Sequence, residues 1–138
     1  MEKEFIPYEE ALALKELGFD KECLMEYHNQ KITGYSCGDP SNNSELEDLY
    51  GGEVIGAPLY QQAFRWFRKK YNTHSAIVPR RPHSDYKGPI RYQIEILRKD
   101  EEGYVNPPHL PYRFKLFKTY EEAELECLKK LIEIVKEK

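Results

Sequence analysis

The last twenty residues, "TYEEAELECLKKLIEIVKEK", constrain the fold more than any other stretch of the chain. Thr119 followed three residues later by Glu122 is a capping box, in which a hydroxyl takes up one of the amides a helix start leaves open. Beyond it Leu125, Leu128, Leu131, Ile132 and Val135 form a stripe at helical spacing, widened by Ala123, Cys127 and Ile134. An arc that wide calls for cover from a sheet and from a neighbouring helix or a second subunit, so this helix is also the natural contact for a homo-oligomer.

Material for the sheet lies upstream. In "IRYQIEIL" the residues Ile90, Tyr92, Ile94 and Ile96 alternate with Arg91, Gln93 and Glu95, and in "YRFKLF" Tyr112, Phe114 and Leu116 alternate with Arg113 and Lys115. The connection "RKDEEGYVNPPHLP" is too short and too rich in proline for a crossover helix, so the two strands are expected to form an antiparallel hairpin. His74 to Val78 reads as a further strand and "PRRPHSDYKGP" as a loop.

Nearer the start, Pro7, Glu9 and Glu10 open a helix over 7–17 that Gly18 ends, with Phe19 placed for the hydrophobic contact that follows such a cap. Cys23, Met25 and Tyr27 alternate with polar residues up to a turn at Asn29-Gln30, and Ile32 to Tyr35 supplies the returning strand. The segment 37–58 concentrates Gly, Pro, Asn, Ser and acid and reads mostly as a mobile loop, with one helical turn at 44–50; Gly51, Gly52 and Gly56 read as turn residues. In "LYQQAFRWFRKKYN" a helical projection puts Tyr60, Ala63, Phe64, Phe67 and Tyr71 on one face, Leu59 and Trp66 at its margin, and Gln61, Arg65, Arg68 and Lys69 on the other. The expectation is a single α+β domain over 1–138, three helices on an antiparallel sheet of three to five strands, in order α-β-β-α-β-β-β-α.

"YEEA" occurs at Tyr8–Ala11 and again at Tyr120–Ala123, but the two segments diverge beyond it. Paired carboxylates in a first helical turn interact well with its open amides, which explains both copies without a repeat.

Chemistry is harder to find. Cys23, Cys37 and Cys127 are too few and too far apart for a disulfide framework or a zinc site, and Cys37-Gly38-Asp39 names no base for a reactive thiol. His28, His74, His83 and His109 share no metal-ligand spacing, and no phosphate-binding glycine loop is present. No catalytic residue, cofactor or metal is assigned. The start carries no apolar leader and no stretch is apolar enough to span a membrane, so a cytoplasmic protein is expected, in which Asn42-Asn43-Ser44 stays unmodified.

Charge is the one strongly patterned property. Residues 1–59 carry 4 Lys/Arg against 13 Asp/Glu, residues 60–99 carry 10 against 2, and residues 100–138 carry 7 against 9. Arg65, Arg68, Lys69, Arg80, Arg81, Lys87 and Arg91 in the middle segment are the candidate binding face, with Tyr71 or Tyr86 available for stacking. Such a face can pair with the acids of 1–59, meet an acidic protein, or bind nucleic acid.

Three segments together, "IPYEEALALKELGFD", "LYQQAFRWFRKKYNTHS" and "TYEEAELECLKKLIEIVK", resemble a group of small hypothetical proteins of Bacteroides-type bacteria and of the tailed phages and mobile elements that infect them. Phe64 to Arg68 is the most distinctive part, and 37–58 lies outside the match. The resemblance implies a cytosolic, mobile-element context and brings no catalytic residue. The functional expectation is a non-catalytic accessory protein that binds another macromolecule, a protein first and nucleic acid, through 64–91, as the alternative.

Overall fold

The structure, a computed structural model, describes residues 2–34, 40–100, 103–105 and 115–137. The class is α+β, with four α-helices and two three-stranded antiparallel sheets among these residues. The chain divides into two compact units, residues 1–63 and 64–138, with the boundary inside a helix.

In the first unit, helix α1 (Tyr8–Glu16) ends as its sequence dictates. Gly18 adopts φ 100°, its amide donates to Lys15 O, and the Phe19 amide donates to Leu14 O across 2.8 Å, the paired bonds of a Schellman cap. Leu14 and Phe19 are both buried. Strands β1 (Met25–His28) and β2 (Lys31–Gly34) are joined by Asn29 and Gln30 at φ 51° and 65°, the left-handed pair that matches the twist of a two-residue hairpin.

The stretch read as a loop is largely built. Helix α2 (Asn43–Tyr50) starts on Asn42, whose side chain accepts the Glu45 amide, and stops on Gly51 at φ 68°. Strand β3 (Val54–Ala57) then pairs with β1 on the edge opposite β2. Register puts Met25, Tyr27, Ile55 and Ala57 on one face and Glu26, His28, Val54 and Gly56 on the other. Tyr8 of α1 meets Tyr27 edge-on at 5.5 Å, while Tyr50 of α2 meets His28 the same way on the other side. Helices therefore cover both faces, and β3 is buried along its whole length. Gly56 is thus no turn residue: a Cβ there would stand 2.9 Å from the Cys23 sulfur.

Helix α3 (Tyr60–Tyr71) carries its charge as projected, with Arg65 and Lys69 exposed and Arg68 half-buried. Trp66 is buried rather than marginal and Phe64 only half-buried, so the apolar arc is turned slightly from the projection. Asn72, at φ 50°, turns the chain into the second sheet.

That sheet has β5 (Arg91–Asp100) at its centre, paired along one edge with β4 (Thr73–Arg80) and on the other with β6 (Gly103–Val105). The expected partner 112–117 lies mostly outside the described residues, but its last residue does pair: Phe117 and Tyr92 exchange backbone bonds of 2.8 and 2.9 Å. Those bonds turn the Tyr92 amide and carbonyl away from β4, so the facing Pro79 needs no N–H toward β5 and the strand runs on through a proline to Arg80. Helix α4 (Tyr120–Lys136) packs on β4 and β5, with Cys127 hydrogen-bonded to Ser75 and Tyr120 edge-on to Tyr92. Thr119 caps it by accepting the Glu122 amide, and the stripe is buried except Leu125, which is half-exposed.

Among the described residues no helix is long and apolar enough to cross a membrane.

Candidate interaction surface on the second sheet

Residues facing one another across an antiparallel pair share a face, so the β4–β5 register sorts the second sheet into two sides. Thr73, Ser75, Ile77, Tyr92, Ile94 and Ile96 lie on the side of α4. On the other side stand His74, Ala76, Val78 and Arg80 from β4, opposite Leu97, Glu95, Gln93 and Arg91 from β5. Ala76, Arg80, Glu95 and Leu97 are exposed and the rest half-buried.

Two of the candidate cations meet here. Arg80 and Arg91 are direct cross-strand partners on this side, and like charges placed directly opposite destabilise a sheet. Arg80 leans back along β5, donating from Nε to Gln93 Oε1 at 2.9 Å and from Nη2 to Glu95 Oε1 at 3.2 Å. Glu95 is half-exposed, so this ion pair contributes at most about 1 kcal/mol. The acid that answers Arg80 thus lies on the neighbouring strand, and Arg91 takes no share of it.

The loop from Arg81 to Ile90 packs on itself. The Tyr86 amide donates to His83 O at 3.1 Å, Arg81 Nη1 donates to Ser84 O at 3.3 Å, and the His83 ring stands edge-on to Tyr86 at 5.6 Å. Tyr86 lies over Gly88 so closely that a Cβ there would fall 2.5 Å from its hydroxyl. At the mouth of the hairpin Pro79, Arg80, Arg81, His83, Ser84 and Ile90 line an open hollow of about 400 Å³. Ile90, expected inside the strand, precedes it and is 52% exposed.

The remaining candidates are placed by topology. Arg65, Arg68 and Lys69 sit on α3, which enters β4 at its first residue, while Arg80, Arg81, Lys87 and Arg91 cluster at its last. Among the described residues of 64–138, Arg65, Arg68, Lys69, Lys87 and Arg91 form no ion pair with one another's neighbours; Arg80 alone does. Both rings offered for stacking are committed: Tyr71 packs edge-on to Trp66 at 5.4 Å with Lys70 over it, and Tyr86 is folded into its own loop.

His83, Ser84 and Glu95 were not among the sequence candidates. Glu95 is fifteen residues from Arg80, a pairing visible only once β4 rather than 112–117 is known to run along β5.

Burial pushes both Cys23 and Cys127 up to about 12, so neither is a thiolate at neutral pH. Cys37 and His109 lie outside the described residues.

No protein-family model, curated protein or solved structure matches the chain.

Proposed function

We propose that this is a non-catalytic accessory protein of the phage or mobile-element type, working in the cytoplasm, that binds an acidic segment of a protein partner on the open side of its second sheet. The observation that carries this reading is the in-register pair Arg80–Arg91, two cations facing each other, of which only Arg80 is answered by a carboxylate, the half-exposed Glu95 further along β5. Such a pair is costly alone and is relieved by an anion laid across it.

A protein is favoured over nucleic acid by what surrounds those cations. Leu97 and Ile90 are 44% and 52% exposed on the same sheet and its mouth, and β4 contributes Val78 and Ala76. Aliphatic side chains interleaved with arginines suit an acidic, partly apolar polypeptide, whereas single-stranded nucleic acid is held by free aromatic faces, and Tyr71 and Tyr86 are occupied. Mobile-element context rests on the resemblance of the three helical segments.

The test is affinity capture from nuclease-treated lysate with the wild-type protein and with Arg80→Glu/Arg91→Glu. A partner retained by the first and lost by the second is the expected result. Equal capture by both, or a partner released by the nuclease and a gel shift with oligonucleotides at low salt, would replace this reading with another.

A further inference from the structure

We infer that the hollow at the mouth of the β4–β5 hairpin holds a phosphoryl group, carried as a phosphomonoester on the side chain of the bound protein segment. The inference rests on the protein-binding reading for the source of the ligand, not for the site itself.

The donors are already held in place. Arg80 has Nε and Nη2 fixed on Gln93 and Glu95, leaving Nη1. Arg81 has only Nη1 engaged, on the Ser84 carbonyl, so its Nε–Nη2 edge is open among the described residues, and that edge grips two oxygens of a phosphoryl group in parallel. Ser84 and His83 line the same hollow and bring a hydroxyl and an imidazole to it. Because both guanidiniums are pinned by one side, little side-chain entropy is lost when a ligand takes the other. Two guanidiniums, a hydroxyl and an imidazole offer more donors than the two oxygens of a carboxylate employ, and match the three oxygens of a phosphate dianion.

Size and rim point to the ligand's source. A hollow of about 400 Å³ accommodates a phosphoryl group with the side chain that bears it, and it is open, as suits the tip of a larger molecule. Pro79 and Ile90 form its apolar part, where residues beside a phosphorylated side chain would rest. A nucleic-acid strand would instead look for stacking rings, and Tyr86, in the same loop, is turned onto Gly88 and His83.

Glu95 supplies an unusual control. Its carboxylate competes with any anion for Arg80, so removing its charge strengthens the site instead of weakening it.

The experiment is an NMR titration of the ¹⁵N-labelled full chain at fixed ionic strength, first with inorganic phosphate and then with a phosphoserine peptide flanked by apolar residues. Saturable shifts confined to residues 80–84 and the Arg81 Nε–H are expected with both. Arg81→Ala should weaken binding about tenfold, and Arg81→Lys, which keeps charge but loses the two-donor edge, nearly as much. Glu95→Gln should tighten it about threefold and Lys69→Ala leave it unchanged. Amide positions elsewhere report whether each variant is folded. Shifts that never saturate, that spread equally to Arg65 and Lys69, or that survive Arg81→Ala would overturn the site. A peptide binding no tighter than inorganic phosphate, or an oligonucleotide without a terminal phosphate competing equally well, would overturn the phosphoprotein ligand while leaving the capture experiment above to stand or fall by itself.

Discussion

Asn43 accepts the backbone amide of Gly56 on its side-chain oxygen at 2.9 Å, and from the other end of the same amide it donates to the carbonyl of Phe19, also at 2.9 Å. One buried side chain therefore ties the cap of α1, the start of α2 and the middle of β3. Asn43→Ala should cost about 2–4 kcal/mol, since two buried backbone groups lose their partner at once. Urea unfolding followed by circular dichroism measures it; a cost below about 1 kcal/mol would show that other groups or water replace the amide.

Gly56 itself has no room for a side chain, because the Cys23 sulfur lies 2.9 Å and its Cβ 3.4 Å from where a Cβ would be built. Gly56→Ala should destabilise by about 1–3 kcal/mol through overpacking. In a double-mutant cycle with Cys23→Ala the combined loss should be smaller than the sum of the two, and strict additivity would place the strain elsewhere.

On the same face of β1, buried Glu26 accepts a hydrogen bond of 2.5 Å from His28, a ring that is itself one-third exposed. His28→Ala leaves a carboxylate out of water without its partner, and a loss of about 3 kcal/mol is expected. Adding Glu26→Gln to that variant should recover part of it, which thermal unfolding of the pair would show.

Stability should also respond to pH through α4. Partial burial, assisted by the nearby Glu121 carboxylate, pushes Glu124 from 4.5 up to about 7. The folded state thus favours its protonated form: that contribution is complete below about pH 4.5 and is lost as the pH rises through 7. Between pH 5 and pH 8 the melting temperature of the wild type should fall more than that of Glu124→Gln. At pH 8 the substitution should gain about 1 kcal/mol, the figure being discounted for the solvent-facing part of the side chain. Identical pH profiles would contradict it.

Facing arginines make the second sheet more stable when one is reversed. Arg91→Glu should raise stability by about 0.5–1 kcal/mol while abolishing capture of the partner, so that the unfolding midpoint and binding move in opposite directions. If both fell together, the pair would be structural.

Local signals in the sequence carried much of the fold. Gly18 with Phe19, the Asn29-Gln30 turn and Thr119 with Glu122 each act within a few residues, and each appears where expected. The stretch 40–57 was legible only in part, the helical turn expected at 44–50 being all that showed of α2, because its punctuation is ambiguous: Asn42 and Gly51 bound a helix with the same residue types that build loops. Val54–Ala57 shows no alternation because helices cover both its faces, and period two needs one wet side. For the site, the charges were legible but their arrangement was not. Arg80 and Arg91 become opponents, and Glu95 the partner of Arg80, only through a register that the ten intervening positions do not spell out.

The position of β5 has a consequence for how the second unit comes apart. Eight residue pairs bind it to β4, while β6 and Phe117 hold its other edge at opposite ends. No strand in that sheet pairs with any described strand except through β5, so there is no smaller subset of hydrogen bonds that can persist once it detaches. Amide protons along β5 should therefore exchange at a common, slowest rate, set by opening of the whole sheet in one cooperative step rather than by fraying from an edge.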